Sequence, residues 1–329
     1  MRFIVVGAGA IGGVVGGRLH QAGEDVVLVA RGPHLEAIRH GGLRLADQTG
    51  MATLRVPVVG HPSEVTWQDG DVVILAVKSQ QTEAALTDLA LVAPPDTAIA
   101  CFQNGVVNEA AILRRFANVY GVHVQCPAGY LEPGEVLAYS SPVTGMFDIG
   151  RYPDGVDDVA EEIAAALRGA TCLSDPLPEI MRWKRRKLIL NLANAAEALC
   201  GPSARFGELG RRARAEGDEV MAAAGLDVAS KAEDTERRGD SLRIDRGSDG
   251  KAWAGGSSWQ SLARATGDIE VDYLNGEIVF LGRLLGVDAP VNALLQRLAR
   301  RAAAERLPPG TYAEADLLAQ LDAVSTPSR

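Results

Sequence analysis

Residues 3–30 read FIVVGAGAIGGVVGGRLHQAGEDVVLVA. Phe3 to Val6 is a short apolar run closed by Gly7, Ile11 to Ala22 reads as a helix, and Asp25 to Ala30 reads as a second buried strand, so the stretch is a βαβ unit. Gly7-Ala8-Gly9-Ala10-Ile11-Gly12 falls at the turn from strand to helix. There Gly7 permits the tight turn, Gly9 lets backbone N–H groups approach a pyrophosphate, and Gly12 lets helix and strand pack closely. A GxGxxG pattern alone is weak, but these flanks and a second strand at the right distance make it a dinucleotide site. A site for NAD normally ends its second strand in Asp or Glu, and here that place holds Arg31. A guanidinium grips a 2′-phosphate through paired hydrogen bonds, which favours NADP; the plainer alternative is that Arg31 only caps a loop.

Outward from this unit, Asp71 to Val77, Ala98 to Phe102 and Val119 to Val124 are further apolar strands, with helices near Thr82 to Leu91 and Val107 to Phe116. Strands alternating with helices imply a doubly wound parallel sheet of Rossmann type. Leu43 to Val59 alternates apolar and polar residues around Asp47-Gln48-Thr49-Gly50 and reads as a hairpin at the sheet edge. The pattern changes at Ser174-Asp175-Pro176-Leu177-Pro178. Beyond it Glu179 to Leu199, Arg211 to Ala224, Ser257 to Ala265, Ile269 to Leu285 and Val291 to Ala304 are helical patterns. The fold class expected is therefore α/β, a Rossmann domain over 1–175 followed by an all-helical domain over 176–329. Arg237 to Gly256 is polar and Gly-rich and reads as a loop.

The 329 residues suit two domains, and 47% hydrophobic with 23% charged residues is the composition of a soluble globular protein. A formal net charge of −9 argues against a general nucleic-acid or anionic-membrane binder, which needs surplus Lys and Arg. Cys101, Cys126, Cys172 and Cys200 lack metal-ligand or disulfide spacing, so no metal site is expected and a reducing cytoplasm fits best. No stretch approaches the length of a membrane span, and the apolar run before Ala8-Gly9-Ala10 is too short for a signal core. Of the five histidines only His123 stands near the expected cleft, and packing is the better default for it, as for Cys101, Cys126, Trp183 and Trp259.

Reducing a ketone with a hydride needs a donor to protonate the developing alkoxide and groups that fix the substrate. Lys187, Asn191 and Asn194 stand at i, i+4 and i+7 among apolar neighbours, so all three should project from one helix face towards an internal cleft. On its own, the run Arg182-Trp183-Lys184-Arg185-Arg186-Lys187 reads as a solvated basic face. Gln103-Asn104-Gly105 and Ala76-Val77-Lys78 each end a strand at the carboxyl edge, where open α/β folds place ligands, though in isolation each is also an ordinary loop.

These residues carry a resemblance. Gly7 to Gly13, Val77-Lys78, Gln103-Asn104-Gly105, Lys187-Leu188-Ile189-Leu190-Asn191, Gly256-Ser257-Ser258 and Ile269 to Gly276 together resemble the ketopantoate reductase (2-dehydropantoate 2-reductase) family over nearly the whole chain. The resemblance implies NADPH-dependent reduction of a 2-oxo acid, with ketopantoate giving pantoate in pantothenate biosynthesis. It implies that Lys187 is the general acid and that Asn104 and Asn191 position substrate and lysine. It further implies that Ser258 and Glu270 bind substrate, that Lys78 lies near the cofactor, and that Asn104 and Glu270 also border it. The sequence departs from the family pattern at Ala195, where a second helix asparagine is usual and the adjacent Asn194 is the substitute. It departs again after the serine pair, at Trp259-Gln260-Ser261-Leu262. Both departures fall near the expected substrate pocket, so a related reductase of another, bulkier 2-oxo acid is the alternative. A non-catalytic NADP-binding sensor is a further alternative, which would need only the glycine turn and Arg31. Periodicity does not decide whether the helix at Ile269 to Leu285 packs in a homodimer interface or in the domain core.

Overall fold

The computed structural model describes residues 1–244 and 255–325. They form two compact units: one of Met1–Lys184 with the described part of Ala229–Trp253, the other of Arg185–Val228 with the described part of Ala254–Arg329. The division falls inside a helix, not in the 174–178 loop, and a later segment of chain returns to the first unit.

The first unit is built on a seven-stranded sheet of β1 (Arg2–Val6), β2 (Asp25–Val29), β3 (Val58–Val59), β4 (Asp71–Leu75), β5 (Ala98–Cys101), β6 (Val119–Gln125) and β7 (Met146–Arg151). Their order across the sheet is β7-β6-β5-β4-β1-β2-β3, parallel throughout except for β7, which runs antiparallel to β6. This is the Rossmann order with one added edge strand. The registers Val6↔Val29 and Val6↔Leu75, with Leu75↔Cys101, bring the carboxyl ends of β2, β1, β4 and β5 to one edge. Their apolar runs are continuous because both faces are covered. Phe3 and Val5 face one core with Val14, Val15 and Leu19, whereas Ile4 and Val6 face another with Leu86, Leu89 and Ile112.

The first helix, α1 (Ala10–Gln21), carries four glycines although each costs about 1 kcal/mol of helix propensity. Close approach explains the choice at Gly12 and Gly16. A Cβ on Gly12 would lie 2.1 Å from the Gly7 carbonyl oxygen, and one on Gly16 would lie 2.7 Å from Leu28.

The hairpin Leu43–Asp47/Gly50–Leu54 forms as read, but it is not the edge of the large sheet. It joins Glu135–Ala138 and Ala128–Gly129 in a separate four-stranded sheet. The large sheet's edge is the two-residue β3, whose Val58 and Val59 lie within the stretch read as hairpin.

The second unit is helical. It contains the end of α2 (Ile180–Asn191), then α3 (Asn194–Cys200), α4 (Glu208–Ala223), α5 (Ser257–Ala263), α6 (Asn275–Leu285), α7 (Pro290–Ala304) and a final helix Glu314–Ser325. The expected single helix from Glu179 to Leu199 breaks at Leu192-Ala193, because the Leu192 carbonyl leaves the helical ladder and accepts from Asn275 Nδ2 at 2.9 Å. Asn275 also donates to Asn292 Oδ1 at 2.9 Å, and Asn292 donates to the Ala213 carbonyl, so a buried amide chain links α2, α6, α7 and α4. The expected helix Ile269–Leu285 likewise begins as a separate 3-10 turn, Glu270–Tyr273. In the segment read as loop, Leu242–Ile244 is a short strand pairing with Ser140–Pro142 in the first unit. Arg237 and Arg238 end the helix Lys231–Arg238, and 245–254 lie outside the described residues. Among the described residues no helix is long and apolar enough to cross a membrane.

Candidate active site

The glycine-rich turn stands at the carboxyl edge of β1. Gly7 has φ +97°, and a Cβ there would meet the Val77 backbone nitrogen at 2.8 Å, so only glycine fits between β1 and the loop after β4. Gly9 is the N-cap of α1 with no capping side chain, and the first turn of the helix holds no acidic residue. The first N–H groups of α1 therefore lack intrahelical partners, and among the described residues nothing beyond its chain neighbours lies within 4 Å of where a Gly9 Cβ would sit. Donors beside open space at a helix N-terminus fit a pyrophosphate.

Arg31 follows β2 and caps the next helix, Gly32–Gly41. Its side chain is 66% exposed and its guanidinium pairs with Asp88 at 2.9 Å, while His61 Nε2 lies 3.3 Å from the same carboxylate oxygen. Asp88 is therefore an anion that competes for this guanidinium.

Lys78 and Asn104 extend the carboxyl ends of β4 and β5 on neighbouring loops, and a buried network cross-ties these loops from beneath. Gln103 Nε2 donates to the Val77 carbonyl at 2.7 Å and to Thr82 Oγ1 at 2.8 Å. Asn108 Nδ2 donates to Ser79 Oγ at 3.0 Å and to the Asn104 carbonyl at 3.3 Å. Cys101 beneath them is fully buried, and burial followed by the nearby Glu109 charge pushes its thiol well up, so it is a packing residue and no nucleophile.

Sequence reasoning missed Lys184. It is 3% exposed, and its Nζ donates to the Gln103 carbonyl at 2.7 Å and the Val122 carbonyl at 3.1 Å. It also stands 2.8 Å from Glu109 Oε1, as an ion pair without hydrogen-bond alignment. The signal was its spacing, since Ile180, Lys184 and Leu188 share one helix face and the two flanking residues are fully buried. Of the other basic residues of this run, Arg182 pairs with Glu233 at 2.8 Å and Arg186 with Asp218 at 3.2 Å.

In the second unit Lys187 is half-buried and Asn191 buried on α2. The break at Leu192-Ala193 places Asn194 at the first position of α3. This asparagine is 3% exposed and its Oδ1 has no hydrogen-bond partner among the described residues. α3 packs on α5, whose second residue is the buried Ser258. The junction is the Gly256 backbone, which donates to Glu197 Oε2 at 3.2 Å and leaves the Asn194 side chain 3.5 Å from where a Cβ would sit. Arg205 pairs with the same Glu197 oxygen at 2.8 Å. Glu270 is buried on its 3-10 turn, which packs on α6 and α7. Asn194 and Ser258 thus occupy adjoining elements, with Glu270 on another. His123 is fully buried in β6, with Gln125 Nε2 at 3.0 Å and the buried Asp148 at 3.7 Å, which is a packing environment.

A family model described as ketopantoate reductase PanE/ApbA matches residues 3–153, and its C-terminal counterpart matches residues 179–303. The 2-dehydropantoate 2-reductase of Archaeoglobus fulgidus is 32% identical over 308 residues, covering 91% of this chain and 97% of that one. The crystal structure of a PanE/ApbA family ketopantoate reductase from Ralstonia eutropha superposes with a TM-score of 0.77 at 28% identity, over 93% of this chain and 99% of that one. A D-mandelate dehydrogenase solved with NADH and anilino(oxo)acetate superposes with a TM-score of 0.76 at 24% identity over the same shares, a likeness of fold.

Proposed function

Because the chain belongs to the ketopantoate reductase family, an oxidoreductase family, we propose that it reduces 2-dehydropantoate to pantoate with NADPH, in pantothenate biosynthesis. The observation that carries this reading is that the match runs through both units, so it includes the glycine turn, Asn104, Lys187, Asn191, Ser258 and Glu270 together. A sensor would need the first set alone.

In this proposal the first unit holds the cofactor, with the turn from Gly7 to Gly12 on the pyrophosphate, Arg31 on the 2′-phosphate and Lys78 nearby. Bound NADPH supplies the hydride. Lys187 acts as general acid: its ammonium stabilises charge building on the carbonyl oxygen and donates the proton that completes the alcohol. Asn104 and Asn191 orient substrate and lysine, while Ser258 donates to the substrate and Glu270 accepts from its hydroxyl, so selecting a hydroxylated oxo acid. The unpartnered Oδ1 of buried Asn194 supports its use as the substitute for the asparagine missing at Ala195.

A second reading, reduction of a bulkier 2-oxo acid, is favoured by the half-buried Trp259, whose ring packs against Gly255 beside Ser258. The test is incubation of purified protein with NADPH and 2-dehydropantoate. One pantoate formed per NADPH consumed is expected. Tight NADPH binding without turnover on any oxo acid would overturn the enzymatic proposal in favour of a sensor.

A further inference from the structure

We propose that His34 is a positioning residue for the cofactor, holding the glycine-rich turn in the conformation that receives the pyrophosphate. The inference rests on reading that turn as the dinucleotide site. His34 lies on the helix after β2 and is 6% exposed. Its Nε2 is 2.7 Å from the Ala8 carbonyl oxygen, and its Nδ1 is 2.8 Å from the backbone nitrogen of Gly134.

One protonation state satisfies both contacts. A carbonyl only accepts, so Nε2 carries the hydrogen and donates; a backbone N–H only donates, so Nδ1 presents its lone pair. The imidazole is therefore neutral, in the Nε2–H form. Its ring also packs on Tyr130, with centroids 4.6 Å apart, which fixes the ring plane.

Both partners have a place in the site's architecture. The Ala8 carbonyl shares a planar peptide with the Gly9 N–H, so fixing the oxygen fixes the direction of that N–H. Gly9 is the residue beside which the chain leaves open space. Gly134 is anchored in turn, its carbonyl accepting from Arg44 N at 2.8 Å at the start of the four-stranded sheet. Two residues further, Val136 fills the space where Gly13 lacks a side chain: a Cβ there would meet Val136 at 2.7 Å and the Ala8 carbonyl at 2.8 Å. The small sheet thus backs the turn, and His34 is the strut between them. An ordinary buried histidine needs only some partner for each nitrogen, whereas this one takes a member of the turn itself.

The side-chain lengths of Gln and Asn separate the two halves of the strut. Gln reaches the Nε2 position and keeps a donor for Ala8. Asn reaches only the Nδ1 position, keeping an acceptor for Gly134 and leaving the Ala8 carbonyl bare. NADPH binding to full-length wild type, His34→Gln, His34→Asn and His34→Ala is measured by protein-fluorescence quenching, with melting temperatures alongside. His34→Asn and His34→Ala should weaken NADPH about tenfold, the effect of losing one buried hydrogen bond, and His34→Gln should stay within about threefold of wild type. Asn binding as well as Gln, or variants that melt earlier with unchanged NADPH affinity, would overturn the inference and leave His34 a packing residue. Should Ala fail to fold, the Gln and Asn pair still decides. Wild type that binds no NADPH would instead remove the dinucleotide reading beneath it.

Discussion

Replacing Lys184 by Met should destabilise the first unit severely, although the residue belongs to a basic run that looks solvated. Its ammonium is 2% exposed and its partner Glu109 is fully buried. Removing the lysine leaves a carboxylate in a dry site and takes the donor from the Gln103 and Val122 carbonyls. Breaking a buried pair from one side costs about 3–5 kcal/mol. For a unit of this size that corresponds to a drop of roughly 6–20 °C in melting temperature. The assay is calorimetric unfolding of wild type, Lys184→Met, Glu109→Leu and the double variant, which resolves the transitions of the two units if they separate. Removing both charges eliminates the uncompensated carboxylate, so the double variant should recover most of the loss, with a coupling of at least about 2 kcal/mol. A Lys184→Met penalty below about 1 kcal/mol, or strictly additive single losses, would refute the buried cage. Because the cage also holds the Gln103 carbonyl next to Asn104, residual activity of a folded Lys184→Met should show a raised KM for the oxo acid.

Lys187→Ala should lower kcat by about 10²–10⁴ with NADPH affinity within about twofold, read by stopped-flow turnover and by direct binding. Arg31→Ala should raise the KM for NADPH at least about tenfold and leave that for NADH nearly unchanged, as steady-state kinetics with both cofactors would reveal. Asp88→Asn removes the carboxylate that competes for Arg31, so the KM for NADPH should fall, by up to about fivefold for an exposed pair. Asp148 is buried, and burial pushes its carboxyl up, but the adjacent His123 and hydrogen bonds from Arg237 hold it below the usual carboxylate value. Its contribution to stability is therefore present above about pH 4 and lost as pH falls through the depressed value, so Asp148→Asn should flatten the acid limb of a stability–pH curve.

Much of this architecture is legible in local pattern. The β1-turn-α1-β2 stretch announces itself because Gly7, Gly12 and Gly16 answer steric demands that no other residue meets. What escapes is long-range. The break at Leu192-Ala193 depends on Asn275, 83 residues away, taking a carbonyl from the ladder, and helical periodicity cannot see that partner. The hairpin's alternation is correct, yet which sheet it joins is decided by Glu135–Ala138 pairing with it in parallel. Other misses had local signals that went unread. Asp157 accepts from Ala160 N to cap the helix Asp158–Gly169, and Ser230 with Glu233 forms a capping box on Lys231–Arg238. Lys184 and His34 were overlooked for a common reason: residue type suggested solvent or bland packing, and their partners come from distant elements.

The most direct test of the central claim is kcat/KM for ketopantoate, 2-oxoisovalerate, pyruvate and a larger aromatic 2-oxo acid, each with NADPH and with NADH. The highest value is expected for ketopantoate with NADPH, with a strong fall when NADH replaces it. A clear preference for the aromatic acid would contradict the substrate proposed for Asn194, Ser258 and Glu270, and equal use of NADH would contradict the role proposed for Arg31.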